Sequence, residues 1–92
     1  MTEADVPFLP RGVRTRHDAV RGVDVLLGPE RVLVLDQVGK AVLGALDGEA
    51  DLAQISARLA EVYDAPLDVI TPDVLAFVQD LQERGMVHVR PS

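Results

Sequence analysis

The stretch G-P-E-R-V-L-V-L-D-Q-V-G-K-A-V-L-G-A-L-D-G, from Gly28 to Gly48, decides the fold. Gly28-Pro29 is a turn signal. Val32, Leu33, Val34 and Leu35 then form a short apolar run of strand length. Asp36 is a good helix N-cap, since its carboxylate can accept from the free N–H groups of a first turn. Val38, Ala41, Val42, Ala45 and Leu46 follow at helical spacing, and Asp47-Gly48 supplies a stop. Gly39 inside this pattern weakens the helix by up to about 1 kcal/mol relative to Ala, which points to close backbone packing or to simple tolerance. A strand therefore feeds straight into a helix.

Upstream of this unit, residues 1–10 have no period and contain Pro7 and Pro10, so they read as a flexible N-terminal tail that docks through Phe8 and Leu9. Val13, Thr15 and His17 alternate with Arg14 and Arg16, predicting a half-buried first strand. Asp18 to Gly22 supplies a loop, and Val23 to Leu27 alternates as a second strand. With Arg31–Leu35 as the third, the short connections predict an antiparallel meander.

Downstream, Asp51 and Gln54 make a capping-box pattern, followed by the stripe Leu52, Ile55, Leu59 and Val62. This second helix is expected to end at Tyr63-Asp64, before Pro66. A third helix is predicted with Thr71 as cap, Pro72 at its first position and Asp73 complementing the helix dipole. Val74, Phe77, Val78 and Leu81 form its apolar stripe, and Gly85 closes it. Met86 to Arg90 fits a short terminal strand. The expected fold is α+β, a three-stranded antiparallel sheet followed by three helices, spanning residues 11–92. That order resembles a winged helix-turn-helix.

A chain of 92 residues makes one domain with a modest core, built here from Leu, Val, Ile and Ala because aromatics are scarce. With no cysteine, disulfides, Cys-based zinc sites and thiol catalysis are excluded. No apolar run approaches the ~20 residues of a membrane span, and M-T-E-A-D-V-P is no signal peptide, so a cytoplasmic location is expected and no membrane partner. The net charge of −6 is unevenly spread. Arg11, Arg14, Arg16, Arg21 and Arg31 lie in the first third, whereas Lys40 and Arg58 face ten acidic residues between Asp36 and Glu83. This is either ordinary solubility or a sign that different faces meet different partners.

No catalytic constellation is present. Ser56 lies mid-helix with no histidine near it, and Ser92 is terminal. His17 and His88 are single and far apart, so no metal or other cofactor is expected. Gly39 and Gly44 fall inside a helix pattern and do not make a phosphate loop. An acyl carrier would need a modifiable serine at a helix start, and Ser56 follows Ile55. A winged helix invites a DNA-binding reading, but the third helix carries Asp73, Asp80 and Glu83 against Arg84, and duplex DNA would repel it. Protein or peptide recognition remains. The third strand is last in its meander and apolar on both faces, with Val32 and Val34 on one and Leu33 and Leu35 on the other. Such an edge is an aggregation hazard unless the tail or the terminal strand covers it, or a partner peptide adds to it.

The chain resembles the PqqD family, the peptide chaperones of pyrroloquinoline quinone biosynthesis. The resemblance lies in L-P-R-G-V-R at Leu9–Arg14, D-A-V-R-G at Asp18–Gly22, V-L-L-G-P-E at Val25–Glu30, V-L-V-L-D at Val32–Asp36 and A-L-D-G at Ala45–Gly48. It implies a non-catalytic recognition element for a ribosomally made precursor peptide. The peptide would add to the third strand, at Arg31, Val32, Leu33, Val34 and Leu35, and lie in a groove beside Val74, Phe77, Val78 and Leu81. The resemblance also implies presentation to a radical S-adenosylmethionine enzyme, and members fused to another enzyme of the pathway. Two other readings stay open from the residues alone, a winged-helix nucleic-acid-binding regulator and an interaction domain of a larger enzyme.

Overall fold

The hairpin read from Gly28 is the centre of the computed structural model, which describes residues 1–91. Ser92, the last residue of the expected domain, lies outside the described residues. The element order is β1 (Val6–Phe8), β2 (Arg14–Asp18), β3 (Val23–Leu27), β4 (Val32–Leu35), α1 (Gln37–Gly44), α2 (Leu52–Val62), α3 (Leu67–Glu83) and β5 (His88–Arg90). Strands β2, β3 and β4 form one antiparallel sheet in that order, and the three helices follow, as the α+β reading expects. One sheet face and the helices close over a core that includes Leu26, Leu35, Val42, Ile55, Val78 and Val87.

The local signals work where capping is local. Asp36 Oδ1 accepts from the Gly39 N–H at 2.6 Å and starts α1. Asp51 and Gln54 cap each other reciprocally at the start of α2. Helix α1 ends at Gly44 with Ala45 as its C-cap, short of the expected Asp47-Gly48. There the Asp47 carboxylate accepts from the N–H groups of Glu49 and Ala50, a turn that competes with continued helix. On α2, Leu52, Ile55 and Leu59 are buried, whereas Val62, at the last turn, is exposed.

Helix α3 departs most from expectation. It begins at Leu67, with Pro66 as N-cap, and Pro72 lies inside it; Thr71 is not its cap. At the sixth position of α3, Pro72 leaves the Asp68 carbonyl without its helical donor and crowds it with the proline ring, a cost that the packing of α3 on the core offsets. Strand β2 is also more exposed than its alternation implies. Val13, just before it, is buried, but Thr15 and His17 are not, because β2 borders solvent along one edge of the sheet.

Residues 1–10 are not loose throughout. Val6–Phe8 pair antiparallel with β5, matching Val6 with Arg90 and Phe8 with His88, and Val6 and Pro7 are buried. The carbonyls of Glu3 and Asp5 accept from the N–H groups of Ala53 and Leu52, two donors that the start of α2 leaves free. This pairing has no local signal, since each strand's partner lies at the opposite end of the chain. The tail and the terminal strand therefore cover each other and not β4.

Candidate functional site

Because the sheet order is β2-β3-β4, β4 keeps one edge unpaired. The direction of its backbone groups follows from the hairpin. The Gly28 N–H donates to the Arg31 carbonyl at 2.9 Å. Beyond that pair the register runs Leu27 with Val32, Leu26 with Leu33, Val25 with Val34 and Asp24 with Leu35. Opposed residues in an antiparallel ladder alternate between bonded and non-bonded pairs. Counting from Gly28 and Arg31, Leu33 and Leu35 bond to β3, and Val32 and Val34 turn their N–H and C=O groups to the open edge. The side chains of Val32 and Val34 are also exposed, at 62% and 63%, whereas Leu33 is half-buried and Leu35 lies in the core.

A cavity of about 370 Å³ opens where β4 gives way to α1. Asp36, Val38, Gly39 and Val42 line it from the start of α1, Leu59 and Tyr63 from α2, and Ile70, Asp73, Val74 and Phe77 from α3. Its walls are mainly apolar, and no cationic side chain lines it. Gly39 makes this wall a close contact. A Cβ at this position would stand 3.1 Å from Asp36 Oδ1 and 3.2 Å from Cζ of Phe77, so the glycine lets the ring approach the helix backbone. The close packing expected of Gly39 is thus its contact with Phe77.

The residues expected to bind peptide fall into two groups. Arg31, Val32 and Val34 are accessible, Leu33 and Phe77 partly so, and Val74 lines the cavity floor although it is 2% exposed. Val78 and Leu81 do not line the cavity. They share the stripe of Val74 that faces the core and are sealed in it, so they serve packing. Ile70, Asp73 and Phe77 occupy the adjacent stripe of α3, and these face the cavity. Sequence reasoning missed Ile70 because it placed the start of α3 after it. A helix starting at Leu67 would have shown the i, i+3, i+7 row.

The histidines do other work. His17 Nδ1 lies 3.0 Å from Asp24 Oδ1 across β2 and β3, and the Lys40 ammonium lies 3.4 Å from the same carboxylate. The His17 imidazole foremost, then Lys40, holds the Asp24 carboxyl below the usual carboxylate range. His88 packs edge-on against Phe8, with ring centroids 5.8 Å apart. Among the described residues no group of three His, Asp or Glu side chains is arranged to hold a metal. Among the same residues no helix is long and apolar enough to cross a membrane.

Three comparisons bear on this site. Residues 25–87, from β3 into the segment before β5, match the family model described as coenzyme PQQ synthesis protein D (PqqD). A PqqA binding protein of Rhizobium meliloti is 48% identical over 94% of this chain and 88% of its own length. A bifunctional coenzyme PQQ synthesis protein C/D of Methylorubrum extorquens is 44% identical over 91% of this chain, which corresponds to 23% of that longer protein. Among solved structures, the PqqD truncation of Methylobacterium extorquens PqqCD superposes with a TM-score of 0.83 at 41% identity, over 95% of this chain and 93% of that one. That structure is described as a functional, stand-alone recognition element for ribosomally synthesized and post-translationally modified peptides.

Proposed function

This chain belongs to the PqqD family, and from that premise we propose that it is a non-catalytic chaperone for a ribosomally made precursor peptide in pyrroloquinoline quinone synthesis. The peptide adds as a fourth strand along β4 and sets a side chain into the cavity between α1 and α3. One observation carries this reading: an apolar edge whose outward backbone groups, on Val32 and Val34, run directly into an apolar cavity. Backbone bonds along such an edge supply affinity, and alternate side chains entering a pocket supply specificity. The chaperone then presents the peptide to a radical S-adenosylmethionine enzyme, which performs the chemistry. The relative that carries this domain joined to the C protein of the same synthesis supports a place within that set of enzymes.

The test is an NMR titration of the labelled protein with the precursor peptide, with a scrambled peptide and a short DNA duplex as controls. The precursor is expected to shift the amides of Val32, Val34 and Gly39 and the ring of Phe77. Shifts confined to β2 or β5 would refute strand addition at β4. A DNA complex is not expected, since α3 carries Asp68, Asp73, Asp80 and Glu83 with a single cation, Arg84, at its C-cap.

A further inference from the structure

The cross-strand register puts two rows of side chains on one face of the sheet, Arg14–Leu27–Val32 and Arg16–Val25–Val34. The opposite face carries Thr15, His17, Asp24, Leu26, Leu33 and Leu35, and Lys40 of α1 reaches Asp24 on that side. The helices thus cover one face, and the arginine–valine rows look outward. Val25 is only 6% exposed yet is not part of the main core cluster, as expected of a residue shielded by its neighbours on the outer face. Val32 and Val34 remain largely uncovered beside it.

The two arginines on this face are equally unspent, unlike several other cations of the chain. Lys40, Arg21, Arg58 and Arg84 each have a carboxylate within 4.0 Å. Among the described residues Arg14 and Arg16, the arginines of these rows, have none, in a chain of net charge −6. Exposed aliphatic side chains flanked on one side by unpaired arginines have the composition of a protein interface, where arginine is enriched and anchors contacts.

We propose that this outer face is a second docking surface, and that its occupant is an acidic, apolar-centred surface of the enzyme that modifies the peptide. The inference rests on β4 being the peptide edge. A strand added there lies flush with Val32 and Val34, and every second side chain of it emerges on this same face. Whatever docks on the face touches the domain and the bound peptide together. The protein that must reach both is the one that acts on the peptide. An acidic partner pairs with Arg14 and Arg16, and the field of the arginines steers its approach.

The experiment uses the whole chain, the precursor peptide and the radical S-adenosylmethionine enzyme. Two double variants are compared with wild type, Arg14→Glu/Arg16→Glu and Arg14→Gln/Arg16→Gln, each checked for an unchanged melting profile. The glutamine pair keeps side-chain length, so it serves if the charge reversal fails to fold. Peptide affinity should stay within about twofold, because both positions lie on β2, away from the β4 edge. Association of the peptide-loaded domain with the enzyme should weaken by about tenfold or more in the charge reversal, by less in the glutamine pair, and should weaken further with salt in wild type. Equal enzyme association by wild type and folded charge reversal would overturn the proposal. So would loss of binding to duplex DNA or anionic vesicles with enzyme association intact. Failure of the reading on which it rests is separately visible, as Val32 and Val34 amides that do not respond to the peptide alone.

Discussion

The two edges of the β2-β3-β4 sheet are built on opposite plans. Strand β2 reads Arg14-Thr15-Arg16-His17-Asp18, exposed or nearly so throughout, with charges that any added strand would have to displace. Strand β4 reads Val32-Leu33-Val34-Leu35, with no charge and no proline. Charged edge strands are a common guard against unwanted pairing, and an apolar, unguarded edge is open to it. The difference gives the proposed strand addition a direction. On that reading the sheet grows at β4, next to the cavity, while the charges of β2 guard the other edge.

The strongest way to probe this contrast is proline within β4. Leu33→Pro removes an N–H that bonds to β3, together with a half-buried side chain, and should cost about 3 kcal/mol or more of stability. Val34→Pro removes an outward N–H, so the domain should stay folded while peptide affinity falls by about tenfold or more relative to Val34→Ala. Urea denaturation and peptide titration separate the two outcomes, and similar behaviour at both positions would break the parity drawn from the Gly28–Arg31 bond.

The cavity side comes next. Phe77→Ala should cost about 2–3 kcal/mol, less than a fully buried phenylalanine, and should weaken peptide binding in the protein that remains folded. Gly39→Ala gains up to about 1 kcal/mol of helix propensity but loses about 1–3 kcal/mol by crowding the Phe77 ring and the Asp36 carboxylate, so a net loss of about 1 kcal/mol is expected. If Gly39→Ala melts like wild type, the close contact between α1 and Phe77 is wrong.

A milder change makes the two edges alike. Val34→Lys gives β4 the kind of guard that β2 already has, and because Val34 is exposed the stability change should stay within about 0.5 kcal/mol. Peptide affinity should nevertheless drop several-fold. Unchanged affinity would mean that charge does not govern which edge accepts a strand.

The smallest effect lies in the guarded half. The Asp24 carboxyl is held below its ordinary value by His17 and Lys40, so its contribution to stability is fully present above the unfolded-state value and is lost as pH falls through the lower, folded-state one. Melting curves taken as pH drops below about 4 should therefore show a slightly shallower decline for Asp24→Asn than for wild type. A steeper decline in the variant would reverse the sign.

Much of this architecture was legible from short-range chemistry. Asp36, and Asp51 with Gln54, announce their helices because a cap bonds within three residues of itself. The apolar run at Val32–Leu35 announced an exposed edge because the chain turns back only once around it. What was not legible depends on distance or on exact phase. Val6 finds Arg90 across the whole chain, and no spacing rule reports it. Pro72 looked like a helix start because proline favours that position, and the turn from Leu67 to Ile70 that precedes it has no side-chain cap to announce it. That one misplaced start hid Ile70, while Val78 and Leu81, set beside the groove by the family resemblance, are buried in the core. The outward parity of Val32 and Val34 needed the single backbone bond at Gly28.

The pairing of β1 with β5 has a consequence for the order of assembly. Among the described residues strand β1 has no other strand partner, and its mate, β5, follows all the other described elements in chain order. The hairpins and the helices close over short loops and can form while the chain is still emerging, whereas contacts of such long sequence separation come late and slowly. Leu52 and Ala53, whose N–H groups are covered by the carbonyls of Asp5 and Glu3, keep that cover only while the segment around β1 is held. A nascent chain halted before His88 would thus carry a formed β4 edge on a domain whose two ends are still unfastened.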